Sequence, residues 1–257
     1  MKFCVLTTCL LFSASLMAQR VTKERDTYGE WNVIKMNLSA LATGTFSLQY
    51  ERALNNHVSV ALGAKFRPSA GLPFKSTIKS FLDTLSEGPG IDFVNNAKVG
   101  GYALTPELRF YLGKGAMHGF YIAPFFRYEH NNLNSWRYTF KSINETIVID
   151  FTGNQNGIGG GIQLGAHYLL SQTISLDLWV AGPYIFNDKI AVNSVTDLSD
   201  KNDQELQDVK NDIEKYVKQY LPTHTVNATV SKTGAFATAS GPFYGVRALG
   251  VALGFRF

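Results

Sequence analysis

The chain has 257 residues, 45% of them hydrophobic, two cysteines and a formal net charge of +4. That length fits one generous domain or two small ones, and the interspersed charges give no case for nucleic acid. Both cysteines, Cys4 and Cys9, fall in an N-terminal export segment, so the remaining chain has no disulfide framework and no thiolate metal site.

Met1-Lys2 supplies a short positive region, and "FCVLTTCLLFSASLM" is an apolar run of signal-peptide length. Cleavage is expected between Ala18 and Gln19, giving a signal peptide over 1–18 and a single domain over 19–257. Nothing after residue 18 has the length of a membrane helix, and mean hydropathy is −0.04. A transmembrane β-barrel would show the same profile, because its strands alternate and carry no continuous apolar run.

Alternation is what the chain then shows, strand after strand. Residues 33–42 set Ile34, Met36 and Leu38 against Lys35, Asn37 and Ser39. Residues 45–51 set Phe46, Leu48 and Tyr50 against Ser47, Gln49 and Glu51, and residues 58–67 set Val60, Leu62 and Phe66 against Gly63, Lys65 and Arg67. "GYALTPELRFYLG" opposes Leu104 and Leu108 to Glu107 and Arg109; "GFYIAPFFRYEH" opposes Ile122 and Phe126 to Arg127 and Glu129. "GIGGGIQLGAHYLL" opposes Ile162 and Leu164 to glycines and His167, and "TISLDLWVAGPYIF" opposes Leu176, Leu178, Tyr184 and Phe186 to Asp177 and Trp179. Residues 243–257 close the series, with Phe243, Leu253, Phe255 and Phe257 on one face and Tyr244, Val246, Ala252 and Arg256 on the other. Eight strands of membrane-spanning length result.

The gaps "ALNNH", "GKGAMH" and "SQT" are short turns, whereas 68–99, 131–156 and 187–241 are long. Short turns at one end and long loops at the other predict an eight-stranded antiparallel up-and-down transmembrane β-barrel with both termini periplasmic. Residues 131–156 read as a hairpin that prolongs two strands, with a bulge or break near "TGNQNG". The 187–241 loop carries a helix over 203–221, striped by Leu206, Val209, Ile213, Tyr216, Val217 and Tyr220, capped by Asn202 and Glu205 and stopped by Pro222. "THTVNATVSKTGAFATASG" reads as a second hairpin, and the helix is expected to cover the barrel mouth. An odd "SQT" turn predicts that His167 opposes Asp177 and Gly165 opposes Trp179.

Side-chain size decides which face points inward. Eight strands enclose only enough room for side chains, so the bulky apolar face belongs outside and the glycine-rich face inside. That places Lys35, Glu51, Lys65, Arg67, Glu107, Arg109, Arg127, Glu129, His167, Asp177 and Arg256 in a filled lumen, where they must pair. Pro106 and Pro124, which cannot donate to a ladder, predict bulges on adjacent strands. Arg247 is the one charge left facing outward in the last strand.

Gly250-x-Ala252-x-x-Phe255-x-Phe257 resembles the terminal signal read by outer-membrane barrel assembly machinery. "KMNLSALATGTFSLQYERALNNHVSVALGAKFRP", "LTPELRFYLG", "HTVNATVSKTG" and "GPFYGVRALGVALGFRF" resemble a domain-of-unknown-function family of small barrels of Bacteroidetes-type Gram-negative bacteria. The resemblance implies an outer-membrane location and brings no activity with it. No metal site, cofactor or nucleotide loop is expected: "GIGGGIQLG" has Ile162 where the third glycine would stand, and the histidines lack ligand spacing. An envelope-structural or surface-interaction role through the loops is the leading expectation, with outer-membrane lipid, the assembly machinery and an extracellular ligand as partners. A lipid-modifying enzyme built around His130 and a narrow channel or small-ligand carrier are the alternatives.

Overall fold

The computed structural model describes residues 32–78, 80, 95–113, 115–141, 146–247 and 249–257; the expected signal peptide, with Ala18 and Gln19, lies outside them. Ten antiparallel strands run in chain order: β1 Asn32–Asn37, β2 Phe46–Ala53, β3 Val58–Gly71, β4 Lys98–Tyr111, β5 Gly119–Lys141, β6 Thr146–Leu169, β7 Ile174–Val195, β8 Thr225–Ser231, β9 Gly234–Arg247 and β10 Gly250–Arg256. Consecutive strands β1 to β7 are neighbours, and β10 pairs with both β7 and β1, which closes the sheet. β9 and β10 share one position along β7, and β8 pairs only with β9, so the barrel has eight strand positions. The closed eight-stranded barrel is therefore as the alternation predicts. Helix α1 spans Leu38–Leu41 and α2 spans Asp203–Tyr220.

We call the end with the short turns the lower end. There β6 and β7 meet in the expected register, His167 opposite Asp177 and Gly165 opposite Trp179. Alternation sorts the faces as side-chain size requires. Phe46, Leu62, Phe66, Ile122 and Leu253 are exposed on the outer surface, while Lys35, Glu51, Arg109, His167 and Asp177 are buried within.

Five local expectations are corrected. β1 ends at Asn37 and not at residue 42, because the Asn37 side chain accepts from Ala40 N and starts α1. β7 holds one extra residue between Trp179 and Ala181, opposite Gly165 and Leu164 of β6, and such a bulge reverses the faces beyond it. Phe186 is consequently buried and Tyr184 half-buried, with Ile185 turned outward at 57% exposure. The last strand changes parity at the same level, between β9 and β10. Arg247 therefore points into the barrel, and Tyr244 and Val246 point out.

β6 runs without interruption through 152–157; the irregularity lies across from it, in β5 between Leu133 and Trp136. What changes in β6 is the side on which apolar residues stand. Ile158, Ile162 and Leu164 face out, whereas Ile147, Ile149 and Phe151 above them face in. Nor do Pro106 and Pro124 create bulges: the β4–β5 register is the same on both sides of Pro106, with only ladder partners missing nearby.

The upper parts of β5, β6, β7 and β9 rise beyond the barrel and, with β8, form an open sheet curled around α2. Its core joins Ile147, Ile149 and Phe151 to Val192, Leu198, Ala228, Ala235 and Ala237, with Leu206, Val209 and Ile213 from the helix. Burying each large apolar side chain of that stripe contributes about 1.5–3 kcal/mol. Asn202 and Glu205 form the predicted capping box. The loop expected over 187–241 is thus mostly an extension of strands around a docked helix.

Candidate functional site

The lower lumen is closed by a network of buried charges contributed by β1, β2, β4 and β7. The Lys35 ammonium donates to Glu51 and, at 2.5 Å, to Asp177. Arg109 reaches Asp177 at 2.6 Å, Glu51 at 3.1 Å and Glu107 at 2.8 Å. Tyr111 donates to Glu51 at 2.6 Å, and Tyr121 donates to Asp177 at 2.9 Å while its ring lies 4.5 Å from the Arg109 guanidinium carbon. Arg247 enters from the other side and bonds Glu107 at 3.1 Å. Lys35, Arg109 and Arg247 thereby balance Glu51, Glu107 and Asp177. Charges removed from water survive only with such pairing.

Local backbone makes the room. A Cβ at Gly165 would overlap the Tyr121 ring, and one at Gly250 would overlap the Trp179 indole. Gly250, placed in the C-terminal signal by sequence, thus also has a packing reason; Ala252 beside it is buried, while Phe255 and Phe257 face outward. Glu51, His167 and Asp177 bring three possible metal ligands together. Lys35 Nζ stands among them, 3.5 Å from His167 Nδ1, and its ammonium fills the position a cation would take.

Above this plug the lumen is hollow. A cavity of about 560 Å³ is lined by Lys65, Arg127, Glu129, Arg247, Phe125, Trp179 and Tyr184, and by polar residues of β2 and the α1–β2 turn. The expectation of a filled interior holds only for the lower half. β7 and β9 change parity here, which replaces a row of inward side chains and leaves space at their junction. Lys65 and Arg127 share Glu129, at 3.2 and 2.7 Å. Arg247 lies 5.0 Å from the Phe125 ring and 5.7 Å from that of Trp179. Of the other predicted lumen charges, Arg67 bonds the Gly71 carbonyl near the upper end and Arg256 the Gln172 carbonyl near the lower turns.

A third polar group lies in the extension. His224 Nε2 meets Asp188 at 2.6 Å, and Gln155 donates to the same carboxylate. Thr223 Oγ lies 3.2 Å from His224 Nδ1, but it donates to the Pro242 carbonyl at 2.6 Å. Its proton is engaged, so the trio fastens the α2–β8 connection to the sheet. His130 meets Asn156 at 2.6 Å and Asn132 at 2.9 Å, against the Tyr102 ring. Sequence reasoning missed the inward Arg247, and a signal existed. A charge on a lipid-facing strand costs about 2–4 kcal/mol at mid-membrane, which itself points to a change of parity. The His224–Asp188 contact joins the connection after α2 to strand β7 and left no local signature.

The profile of a family described as protein of unknown function (DUF3575) matches residues 6–210. No curated protein matches the chain at a significant level. Among solved structures, the N-terminal β-barrel domain of Pseudomonas aeruginosa OprF is 10% identical, with 90% of this chain and 100% of that one covered and a TM-score of 0.27. A major outer membrane protein of Thermus thermophilus is 19% identical over 88% of this chain and 98% of that one, at a TM-score of 0.30. The translocator domain of the autotransporter NalP from Neisseria meningitidis is 11% identical over 98% and 97%, at 0.31.

Proposed function

The chain belongs to the DUF3575 family, and from that premise, which brings a lineage and no activity, we propose that it is an outer-membrane barrel displaying a rigid head on the cell surface. The observation that carries this reading is the inverted distribution of side chains. Phe46, Leu62, Phe66, Phe120 and Ile162 stand exposed around the outside, while Lys35, Glu51, Arg109 and Asp177 are enclosed. In water that girdle would far exceed the few hundred Å² of apolar patch a soluble monomer shows; in lipid it is the required surface.

The short turns then face the periplasm with both termini, and the α2-containing extension faces outward. Phe255, Phe257 and the small Gly250 and Ala252 form the strand offered to the assembly machinery. The plug argues for an envelope-structural or surface-interaction role over free conduction. No reaction is proposed, since His130 is held between two asparagines.

Orientation is tested by labelling intact cells with a membrane-impermeant maleimide. Cysteine at Ser199, in the extension, should react, and cysteine at Asn56, in a lower turn, should react only after the outer membrane is opened. The reverse pattern overturns the placement.

A further inference from the structure

The barrel wall is uneven. β1 has 6 residues and β10 has 7, where a tilted spanning strand needs about 9–11. β9 pairs with β7 along its whole length, but its second edge pairs with β8 only from Gly234 to Ser240. Among the described residues, Pro242–Arg247 therefore have no strand partner on that side. Beside this stretch β1 has already given way to α1. Unpaired backbone at membrane depth is tolerated where it lines a hydrated cavity and not where it meets lipid.

The cavity supplies that lining. Its wall includes Ala40 and Thr43 from the α1 side and Val246 and Leu249 from the β9–β10 side. Val246 and Leu249 are also 65% and 69% exposed, so the cavity wall here is at the same time outer surface. Leu38, Leu41 and Phe46 flank the same break and are exposed. Inside, Arg247 is matched by Glu107, which also holds Arg109, while Lys65 and Arg127 share the one carboxylate of Glu129. The chamber thus has one cation in excess, aromatic walls and an apolar side door.

From this geometry we infer that the chamber binds an amphiphile with an anionic, phosphate- or carboxylate-bearing headgroup, admitted sideways from the outer leaflet. The headgroup meets Lys65, Arg127 and Arg247, and the tail leaves through the break beside Leu249 and Leu41. The inference rests on the outer-membrane reading. A volume of about 560 Å³ falls within the range of small-molecule sites, about 300–1,000 Å³.

The test uses the protein in nanodiscs of zwitterionic lipid, with its heat-shifted gel mobility verified first; failure at that step overturns the membrane reading, and the side door with it. Titration calorimetry then compares dodecyl phosphate, inorganic phosphate and dodecyl maltoside. Dodecyl phosphate should bind saturably at one site, at least about tenfold tighter than either of the others. Lys65→Gln with Arg127→Gln should weaken it by about tenfold or more, because charge-assisted hydrogen bonds are lost. Ala40→Trp, which narrows the break, should weaken dodecyl phosphate and leave inorganic phosphate unchanged. Equal binding of inorganic phosphate identifies a soluble anion as the ligand and overturns the side door. Equal binding of dodecyl maltoside, or no saturable binding of dodecyl phosphate to a correctly folded barrel, overturns the anionic site.

Discussion

Lys35 is one of two buried cations that hold the lower lumen together with no access to water, its ammonium sitting among Glu51, Asp177 and His167. Lys35→Met leaves Arg109 as the one cation paired with two buried carboxylates, Glu51 and Asp177, and should destabilise the barrel by about 3–5 kcal/mol. Denaturant unfolding from lipid vesicles measures this, and restoring part of the loss with a second change, Asp177→Asn, identifies charge imbalance as the cause. At the surface, Arg137 grips Asp150 at 2.8 and 2.9 Å in the extension. Hydrogen bonds from Arg137 hold the Asp150 carboxyl below its ordinary range. A depressed carboxyl adds stability above its unfolded value and loses it as pH falls through the folded value. Asp150 is mostly exposed, so its effect on stability is small. An NMR titration should find the carboxyl ionised below the usual aspartate midpoint, and Arg137→Gln should bring it back.

Alternation was legible at this scale wherever one register persisted: every charge assigned to the lumen from sequence lies on the inward parity. Arg247 was misplaced because parity is a running count, and one inserted residue reverses everything beyond it. Val180 does not announce such an insertion by its chemistry.

Among the elements, α2 is the clearest case of a sequence pattern matched by packing. Its stripe predicted a docked face, and Leu206, Val209 and Ile213 are buried against the inner side of β6, β8 and β9. Val209→Asp buries an unpaired charge there and should cost the extension about 3–5 kcal/mol. Because the helix touches the upper strands and not the plug, limited proteolysis of the Val209→Asp variant should cut 196–224 rapidly while the heat-resistant barrel band persists. Loss of both together would show that head and barrel are one cooperative unit. Less legible was the fate of β6, whose apolar residues switch sides between Phe151 and Ile158 without any break in the strand. In the proposed membrane placement the outside below that level is lipid and the inside polar, while above it the outside is water and the helix fills the inside. A change of solvent mimics a break in an alternating pattern, which is why an interruption was expected where the strand is continuous.

The whole molecule combines a plugged lower half, a hollow upper half and a head packed around α2, and the sequence showed the plug's charges and the head's helix and hairpins but neither the chamber nor the strand extensions. Counting strands fixes how wide the barrel is, and side-chain sizes then suggest that it is full. The chamber arises from the paired change of parity in β7 and β9 and from the early end of β1, which are properties of register. The mantle of Phe, Leu and Ile around the outside has one consequence that every other feature depends on. Urea-unfolded chain lacking residues 1–18, diluted into buffer with phospholipid vesicles, should acquire strand dichroism and a heat-sensitive shift in gel mobility, and should do neither in buffer without lipid or detergent. A monomeric, folded, strand-rich protein in plain buffer would contradict the outward-facing mantle directly.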